Sequence, residues 1–229
     1  MHYKKIGVIV ADKDEYKPFA DAVKTAKPFV TPFKDAIEFT CGKTQVIALL
    51  CGIGKVNAAA CAMYLVDSGC DLIFNYGLSG GLSGVKRGEY ILPEKFLEHD
   101  FDLTPLGYKP CEKPRQKYVY NADGEIIKKL VLLGFVSGGT AVCGDRFISS
   151  SKDSEFLIRT FAAKSCDMET AAIASVCDMA GVPFVSLRRI SDSADDGAAA
   201  SYNDMNNNKD EGMSLSAAFL KCLKTICEA

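Results

Sequence analysis

The apolar positions of the chain fall into short continuous runs, and these runs alternate with segments whose apolar residues recur at helical spacing. Continuous apolar runs of strand length are typical of strands that are covered on both faces. Strands are predicted over residues 5–11, 44–51, 71–76, 89–97 and 182–190, with one more leading from Val142 into 145–148, and helices over 55–66, 154–161, 169–180 and 213–228. Because strands alternate with helices, the sequence predicts an α/β fold with a mostly parallel sheet.

Glycine-rich segments follow two of the predicted strands. The first, Gly52-Ile53-Gly54-Lys55, lacks the third glycine of GxGxxG and the remaining residues of a Walker A loop, which excludes both nucleotide fingerprints. The second, at 77–84, reads GLSGGLSG. Open sheets of this class bind ligands beyond the carboxyl ends of their strands, so residues 77–81 are a candidate place for close approach of the backbone to a ligand. Tight turns without a ligand are the alternative.

Two polar stretches interrupt the chain, but no linker rich in Pro or Ser divides it, so we expect one domain over 1–229. The stretch 106–121 carries Pro110 and Pro114 among charged residues and predicts a long surface excursion. The stretch 193–211 is rich in Gly, Asn and Asp. It predicts a long loop that covers an active site, with a disordered insert as the alternative.

Composition narrows the class of protein. The 229 residues are 48% hydrophobic, with 27 basic and 29 acidic residues, as in a folded chain rather than a disordered or fibrous one. Without a basic block, the chain has no electrostatic footprint for nucleic acid or an anionic membrane. The apolar runs fall short of the roughly 20 residues that a membrane span needs. Because the first residues also lack the features of a signal peptide, we expect a cytoplasmic protein that binds neither nucleic acid nor membrane.

The cysteines do not predict a disulfide framework or a metal site. Ten of them are scattered from Cys41 to Cys227 with no CxxC pair, and the chain has two histidines. Most lie in apolar stretches, where a free cysteine behaves as a small hydrophobic residue. We therefore expect buried reduced thiols, no bound metal and no cofactor.

Carboxylates are the strongest candidates for chemistry. His99 is the only internal histidine and no GxSxG segment is present, which disfavours a nucleophilic triad. Glu15, Glu169 and Asp192 lie at the ends of predicted apolar elements. Each alone is typical of a helix cap or a solvated charge, but element ends in a parallel sheet converge on one edge. The three together indicate a candidate acid/base site.

Five motifs carry a resemblance to a known family. They are GIGKVNAA at 52–59, GLSGGL at 77–82, GDRFI at 144–148, DMETAAIASVC at 167–177 and VPFVSLRRISDSAD at 182–195. In this order, over almost the whole chain, they resemble the 5′-methylthioadenosine/S-adenosylhomocysteine nucleosidases of the nucleoside phosphorylase superfamily. The resemblance implies a single-domain three-layer sandwich whose central mixed, mostly parallel sheet is flanked by helices. It also implies hydrolysis of the N-glycosidic bond of these purine nucleosides, with release of adenine, by a homodimer.

The resemblance also implies a role for each site residue. Asp192 would be the general acid toward purine N7, Glu15 would orient and deprotonate the attacking water, and Glu169 would hold the ribose hydroxyls. Arg188 would lie near the water and Glu169. The implied substrate-binding residues are Met168 against the ribose, Phe147 stacked on the purine, Ile148 reading its edge through the backbone, Tyr202 as an aromatic cover, and Ile53 and Leu78.

Phosphorolysis is the nearest alternative, since relatives with the same fold use phosphate in place of water and hold it with an Arg and a Ser near the glycine turn. This chain has Tyr76 and Leu78 there. They offer a phosphate dianion neither a fixed charge nor a hydroxyl, and burying a dianion without partners is costly. Hydrolysis is therefore favoured.

Three positions depart from the nucleosidases. Leu78 replaces a small hydroxyl residue, Asp12 replaces an apolar residue, and Leu106 lies where the aromatic of a partner subunit normally closes the site. A hydrolase of another purine nucleoside, such as a futalosine-like one, thus remains an alternative, and a nucleoside-binding domain without catalysis is a third. Retention of all three carboxylates favours an enzyme over the binding domain.

Overall fold

A computed structural model describes residues 3–33 and 35–228. The strands are β1 (Lys5–Val10), β2 (Lys27–Pro28), β3 (Asp35–Cys41), β4 (Thr44–Leu50), β5 (Leu72–Gly81), β6 (Tyr90–Leu92), β7 (Lys95–Glu98), β8 (Tyr120–Asn121), β9 (Val136–Ser137), β10 (Thr140–Cys143), β11 (Ala163–Asp167) and β12 (Phe184–Asp192). The helices are α1 (Lys13–Ala22), α2 (Lys55–Asp67), α3 (Gly124–Val131), α4 (Ser151–Phe161), α5 (Thr170–Ala180), α6 (Ala198–Asn206) and α7 (Lys209–Cys227), with a 3-10 turn at Thr104–Leu106.

The strands form one mixed sheet. At its centre, β1 is parallel to both β4 and β5, and β12 is parallel to β5 along most of its length. Further along the sheet, β10 is parallel to β11 and β7, whereas β11 meets β5 in antiparallel orientation and β3 is antiparallel to β4. The apolar side chains of α1, α3 and α7 pack on one face, and those of α2 and α5 pack on the other. This arrangement confirms the expected α/β sandwich with a central mixed sheet flanked by helices.

β5 is longer than its sequence pattern predicts. The apolar run ends at Tyr76, but the strand continues through the glycine-rich residues to Gly81. Its partner β12 keeps it extended, because Arg188 pairs with Gly77 and Ile190 with Ser79 in parallel register. The glycine-rich segment therefore continues the strand instead of turning after Tyr76, since a neighbouring strand overrides the local preference of glycine for turns.

The single strand predicted over 89–97 is divided into β6 and β7. Pro93 lies between them and is outside both strands. Because proline has no backbone N–H to donate, it interrupts the hydrogen-bond ladder at this point.

The polar stretch 193–211 is mostly helical, so the prediction of a long loop was wrong. Residues 198–200 are three consecutive alanines, the best helix formers, and they begin α6. After a short break, the side chain of Asn208 caps the next helix by accepting a hydrogen bond from the N–H of Asp210 at 3.0 Å, and α7 begins at Lys209.

The acidic segment after β1 is also helical. Asp12 caps α1, since its Oδ1 accepts a hydrogen bond from the N–H of Asp14 at 2.7 Å. Glu15 thus lies on a helix whose position is fixed directly by the end of β1.

The sequence predicts neither a membrane span nor a disulfide framework. In the part of the chain that the structure describes, no helix has the length and apolar character needed to cross a bilayer. All ten cysteines have free thiols, and all except the half-buried Cys41 are buried.

Phe219 of α7 should be a main determinant of stability. It is fully buried, its ring is stacked on Tyr76 with 4.1 Å between ring centroids, and it also contacts Phe19 and Phe74 edge-on. We expect Phe219→Ala to lower the free energy of unfolding by about 3–5 kcal/mol, the usual cost of emptying a core aromatic site, as measured by urea unfolding. The matched control is Phe156→Ala on α4, where the residue is 45% exposed and the loss should be much smaller. Equal losses in the two variants would contradict this view of the core.

Candidate active site

A pocket of about 220 Å³ lies at the carboxyl ends of the central strands. All ten residues singled out in the sequence line it: Glu15, Ile53, Leu78, Phe147, Ile148, Met168, Glu169, Arg188, Asp192 and Tyr202. Residues without an assigned role also belong to its wall, among them Asp12, Ser79, Gly80, Arg146, Cys166, Asp167 and Ser191. The structure thus brings together side chains from segments that are far apart in the chain.

Glu15 is a buried carboxyl of α1 that faces β5. Its Oε1 accepts a hydrogen bond from the backbone N–H of Leu78 at 2.7 Å. Burial raises the pKa of Glu15 to about 8, although the charge of Arg188 and the Leu78 N–H act in the opposite direction. Glu15 can therefore change its protonation state near neutral pH.

Arg188 is a buried guanidinium on β12 that the protein itself holds in place. Its Nε donates to Ser79 Oγ at 2.8 Å, its Nη1 donates to Asn75 Oδ1 at 3.0 Å, and its Nη2 donates to the carbonyl of Leu78. Its Nη2 also lies 4.0 Å from Glu169 Oε2. Because these donors are already engaged, the guanidinium acts mainly as a fixed positive charge between two carboxyls.

Glu169 immediately precedes α5, and its side chain crosses to the turn after β4. Its Oε1 accepts a hydrogen bond from the Gly54 N–H at 3.0 Å. Burial raises the pKa of Glu169 to about 7, with the Arg188 charge acting against the shift. Asp167 holds the backbone at the start of α5, because its Oδ1 accepts hydrogen bonds from the N–H groups of Glu169 and Thr170 at 2.9 and 2.8 Å.

Asp192 is the last residue of β12 and is 2% exposed. Its Oδ2 accepts from the hydroxyl of Ser191 at 2.7 Å, and its Oδ1 accepts from the N–H of Ala194 at 2.8 Å. Burial raises the pKa of Asp192, and these two hydrogen bonds oppose the shift. The remaining capacity of the carboxyl is free to face a ligand.

Two glycines of β5 make room for these side chains. A Cβ atom at Gly77 would lie 2.8 Å from Glu15 Oε2 and 2.9 Å from Arg188 Nη1. A Cβ atom at Gly80 would lie 2.8 Å from the sulfur of Cys166 and 3.2 Å from Asp192 Oδ1. Any larger residue would displace the acids, so these glycines serve close packing rather than a turn.

Aromatic side chains cover the side of the pocket that faces solvent. The rings of Phe147 and Tyr202 meet edge-on with 5.6 Å between centroids. Tyr202 is supplied by α6, the helix that the sequence predicted as a covering loop. Burial and the neighbouring charges of Glu15 and Asp12 raise the pKa of Tyr202.

The loops that carry Ile53 and Phe147 are joined by an ionic network. Asp145 Oδ1 accepts from the backbone N–H of Lys55 at 2.7 Å, and the N–H of Asp145 donates to Asp100 Oδ2 at 2.9 Å. The ammonium of Lys55 pairs with Asp100 Oδ1 at 2.6 Å. Sequence reasoning missed this network, because its members lie in three separate segments with no common motif.

Tyr76 and Leu106 do not line this pocket. Tyr76 is buried in the core, stacks on Phe219 and donates its hydroxyl to the carbonyl of Glu15 at 3.1 Å. Its expected place beside the phosphate position was therefore wrong, whereas Leu78 does line the pocket. Leu106 is 71% exposed and lies outside the pocket wall of its own chain.

The arrangement suits proton transfer at two separated points. Gly77 and Gly80 are three residues apart on an extended strand, about 10 Å. Glu15 lies beside the first and Asp192 beside the second. The pKa of each is raised by burial, so each holds its proton to a higher pH than an exposed carboxyl does, which suits general acid and base groups.

The chain resembles known proteins both in sequence and in fold. The family described as the phosphorylase superfamily matches residues 5–227. A 5′-methylthioadenosine/S-adenosylhomocysteine nucleosidase from an Exiguobacterium species is 35% identical over 142 residues, covering 58% of this chain and 61% of that protein. A protein of the same name from Geobacillus kaustophilus is 34% identical over 141 residues, covering 58% and 60%. The matched region thus spans about three fifths of the length of these relatives.

Solved structures extend the similarity to nearly the whole chain. The nucleosidase of this name from Neisseria meningitidis, in complex with methylthio-immucillin-A, has a TM-score of 0.89 at 29% identity and covers 97% of this chain and 99% of that one. The futalosine hydrolase of Helicobacter pylori shares the fold, with a TM-score of 0.89 at 23% identity over 98% of this chain and 97% of that one. With its family match from residue 5 to residue 227 and this shared fold, the chain belongs to the phosphorylase superfamily.

Proposed function

We propose that the protein hydrolyses the N-glycosidic bond of 5′-methylthioadenosine and S-adenosylhomocysteine, releasing adenine and the thioribose product. One observation carries the proposal: Glu15, Glu169 and Asp192 are buried around a single pocket, and the pKa of each is raised. The curated relatives named above support the substrate class.

At the base end of the pocket, Asp192 protonates N7 of the departing purine. Cleavage of the glycosidic bond leaves negative charge on the purine, and a proton donor lowers that barrier. The raised pKa favours the protonated form that this step needs. The hydrogen bonds from Ser191 and Ala194 keep the carboxyl in one orientation.

At the opposite end, Glu15 orients a water molecule and takes its proton. Its Oε1 is held by the Leu78 N–H, which leaves Oε2 available to the water. Deprotonation of Glu15 near its pKa of about 8 makes it a stronger base than an ordinary carboxylate. Arg188 lies beside it and steadies the ionised form.

The middle of the pocket binds the sugar. Glu169 accepts hydrogen bonds from the ribose hydroxyls, while Met168 provides an apolar contact. As the bond breaks, positive charge develops on the ribose ring, and the neighbouring carboxylates stabilise it. Phe147 and Tyr202 cover the base, and the Ile148 backbone contacts its edge.

The charges of the pocket favour water over phosphate as the nucleophile. Glu15 and Glu169 line the pocket beside the place of attack, and their ionised forms would repel a phosphate dianion. Three of the five N–H donors of Arg188 are engaged by Ser79, Asn75 and the Leu78 carbonyl, which limits what it can offer to a dianion. Leu78 adds no hydroxyl, so phosphate would lose its water shell without adequate replacement.

A hydrolase of another purine nucleoside is the second candidate. The observation in its favour is the polar Asp12 in the pocket wall, which is unusual beside an apolar 5′ group. The same acids serve this reaction, so a panel of nucleosides separates the two candidates.

We propose that the protein works as a homodimer. Ile53 of the pocket wall is 51% exposed, and on the helix that follows it, α2, the apolar residues Val56 and Met63 are 79% and 43% exposed. The exposed Leu106 belongs to the region, residues 103–106, that a partner would lend to the site. A monomer mass in sedimentation equilibrium at micromolar concentration would contradict the dimer.

We also propose that the protein resides in the cytoplasm, as part of methionine salvage. Ten free thiols suit a reducing compartment. Recovery of the protein from the extracellular fraction of its cells would count against this location.

The identity of the sugar product tests the proposed reaction. We expect incubation with methylthioadenosine to release adenine and a free reducing sugar, with no acceleration by millimolar phosphate, because the pocket lacks partners for a dianion. Mass spectrometry of the products with and without phosphate gives the answer, with Glu15→Gln as the control that lacks the water base. A sugar 1-phosphate whose formation requires phosphate would make the protein a phosphorylase.

Replacement of the general acid should slow turnover without unfolding the protein. We expect Asp192→Asn to lower kcat by about two to four decades, since the amide cannot donate a proton to N7 as the carboxyl does. The amide oxygen can still accept from the Ala194 N–H, so circular dichroism should be unchanged. The matched control is Asp196→Asn, at an exposed carboxyl four residues further on. A wild-type rate in Asp192→Asn would rule out the assignment.

A further inference from the structure

The strands that carry the pocket residues place some of them at one end of the pocket and some at the other. Asp12 follows β1 and Ile53 follows β4, and these two strands are neighbours. Asp192 ends β12, on the other side of β5. Adjacent strands lie about 4.8 Å apart, so the end that holds Asp12 is roughly 10 Å from the end that holds Asp192.

The orientation of a nucleoside follows from these ends and rests on the proposed function. With the purine at Asp192 and the hydroxyl edge of the ribose at Glu169, the carbon that bears the 5′ group lies across the ring from the base. The 5′ substituent then points toward Asp12 and Ile53, which both line the pocket. These two side chains therefore lie beside the 5′ substituent, which is the part that differs between the candidate substrates.

Asp12 brings a negative charge to this end. Its Oδ1 accepts from the N–H of Asp14 at 2.7 Å as the cap of α1. None of the ion pairs formed within residues 3–33 and 35–228 includes Asp12. Asp12 belongs to the wall of the pocket, whereas its neighbours Lys13 and Asp14 do not. A carboxylate without a cationic partner at a ligand's end attracts a donor or a cation on that ligand.

We propose that Asp12 is a specificity-determining residue that favours purine nucleosides with a positively charged 5′ substituent, such as an ammonium group, over those with a neutral apolar one. Ile53 beside it provides the apolar contact for the linking atoms. A 5′ substituent that ends in a lone carboxylate is disfavoured by the same charge.

Two nucleosides and two variants test the inference. We compare kcat/KM for 5′-amino-5′-deoxyadenosine, which is cationic, and methylthioadenosine, which is neutral, at a pH where the amine is protonated. Asp12→Asn removes the charge and keeps the helix cap, because asparagine caps as well as aspartate does. We expect the ratio of kcat/KM, amino over methylthio, to fall about three- to tenfold in this variant, as for loss of a partly exposed ion pair.

Asp14→Asn is the matched control. It removes the same charge from an exposed neighbour that does not line the pocket, so its ratio should stay within about twofold of the wild type. An unchanged ratio in Asp12→Asn, or an equal fall in Asp14→Asn, would overturn the inference.

The proposed reaction and the inference can fail separately. If the wild type cleaves methylthioadenosine but the ratio does not depend on Asp12, the reaction stands and the inference fails. If no nucleoside is cleaved, the proposed reaction fails. The inference is then tested by calorimetry, from the ratio of the Kd values of the amino and methylthio nucleosides. In that case Asp12→Asn must lower the relative affinity for the amino nucleoside, and an unchanged ratio of Kd values contradicts the inference.

Discussion

The pocket depends on two positions of β5 that carry no side chain. At Gly77 and Gly80, a single added carbon would lie within 3 Å of Arg188 and Glu15 in the first case and of Cys166 in the second. Because these two positions lack a side chain, α1 can bring Glu15, and β12 can bring Arg188 and Asp192, against the middle of the sheet. The strand stays extended through these glycines because β12 pairs with it up to Gly80, with a register shift between Ile190 and Asp192. The sheet therefore provides a rigid floor for the site, and the charged groups come from elements packed around it.

Burial against β5 raises the pKa values of the carboxyls, and it also lowers the stability of the fold. Glu15 has an ordinary pKa near 4.5 when exposed and a pKa of about 8 in the fold. Since the fold favours the protonated form, this group's contribution to stability is fully present below the unfolded pKa and is lost as the pH rises through the folded value. Glu169 acts in the same direction, with a pKa of about 7. Arg188 limits the cost by offering a fixed positive charge to both, so the site retains ionisable groups near neutral pH without unfolding the sheet.

Sequence patterns identified the central strands and most of the helices that pack on them, because continuous apolar runs and helical spacing record burial directly. They failed where tertiary contacts override local preference. Residues 77–81 look like a turn but are extended by β12, and residues 193–211 look like a loop but form helices once alanines 198–200 and the Asn208 cap are in place. The resemblance to a family named ten residues that the structure brings to one pocket. Neither kind of reasoning placed Tyr76 in the core or found the network of Lys55, Asp100 and Asp145, since both depend on which side chains meet across the fold.

Burial against β5 shifts the ionisation of Glu15 and Glu169, two of the carboxyls proposed to act in catalysis, into the neutral range. The most direct test of this shift is an isotope-edited infrared titration of the protein labelled with ¹³C at the glutamate carboxyls, with Glu15→Gln used to assign the signal of Glu15. The account predicts a carboxyl that ionises near pH 8 in the wild type and is missing from the variant. If the signal lost in the variant ionises instead near pH 4.5, the ordinary value for an exposed glutamate, the claimed effect of burial is contradicted.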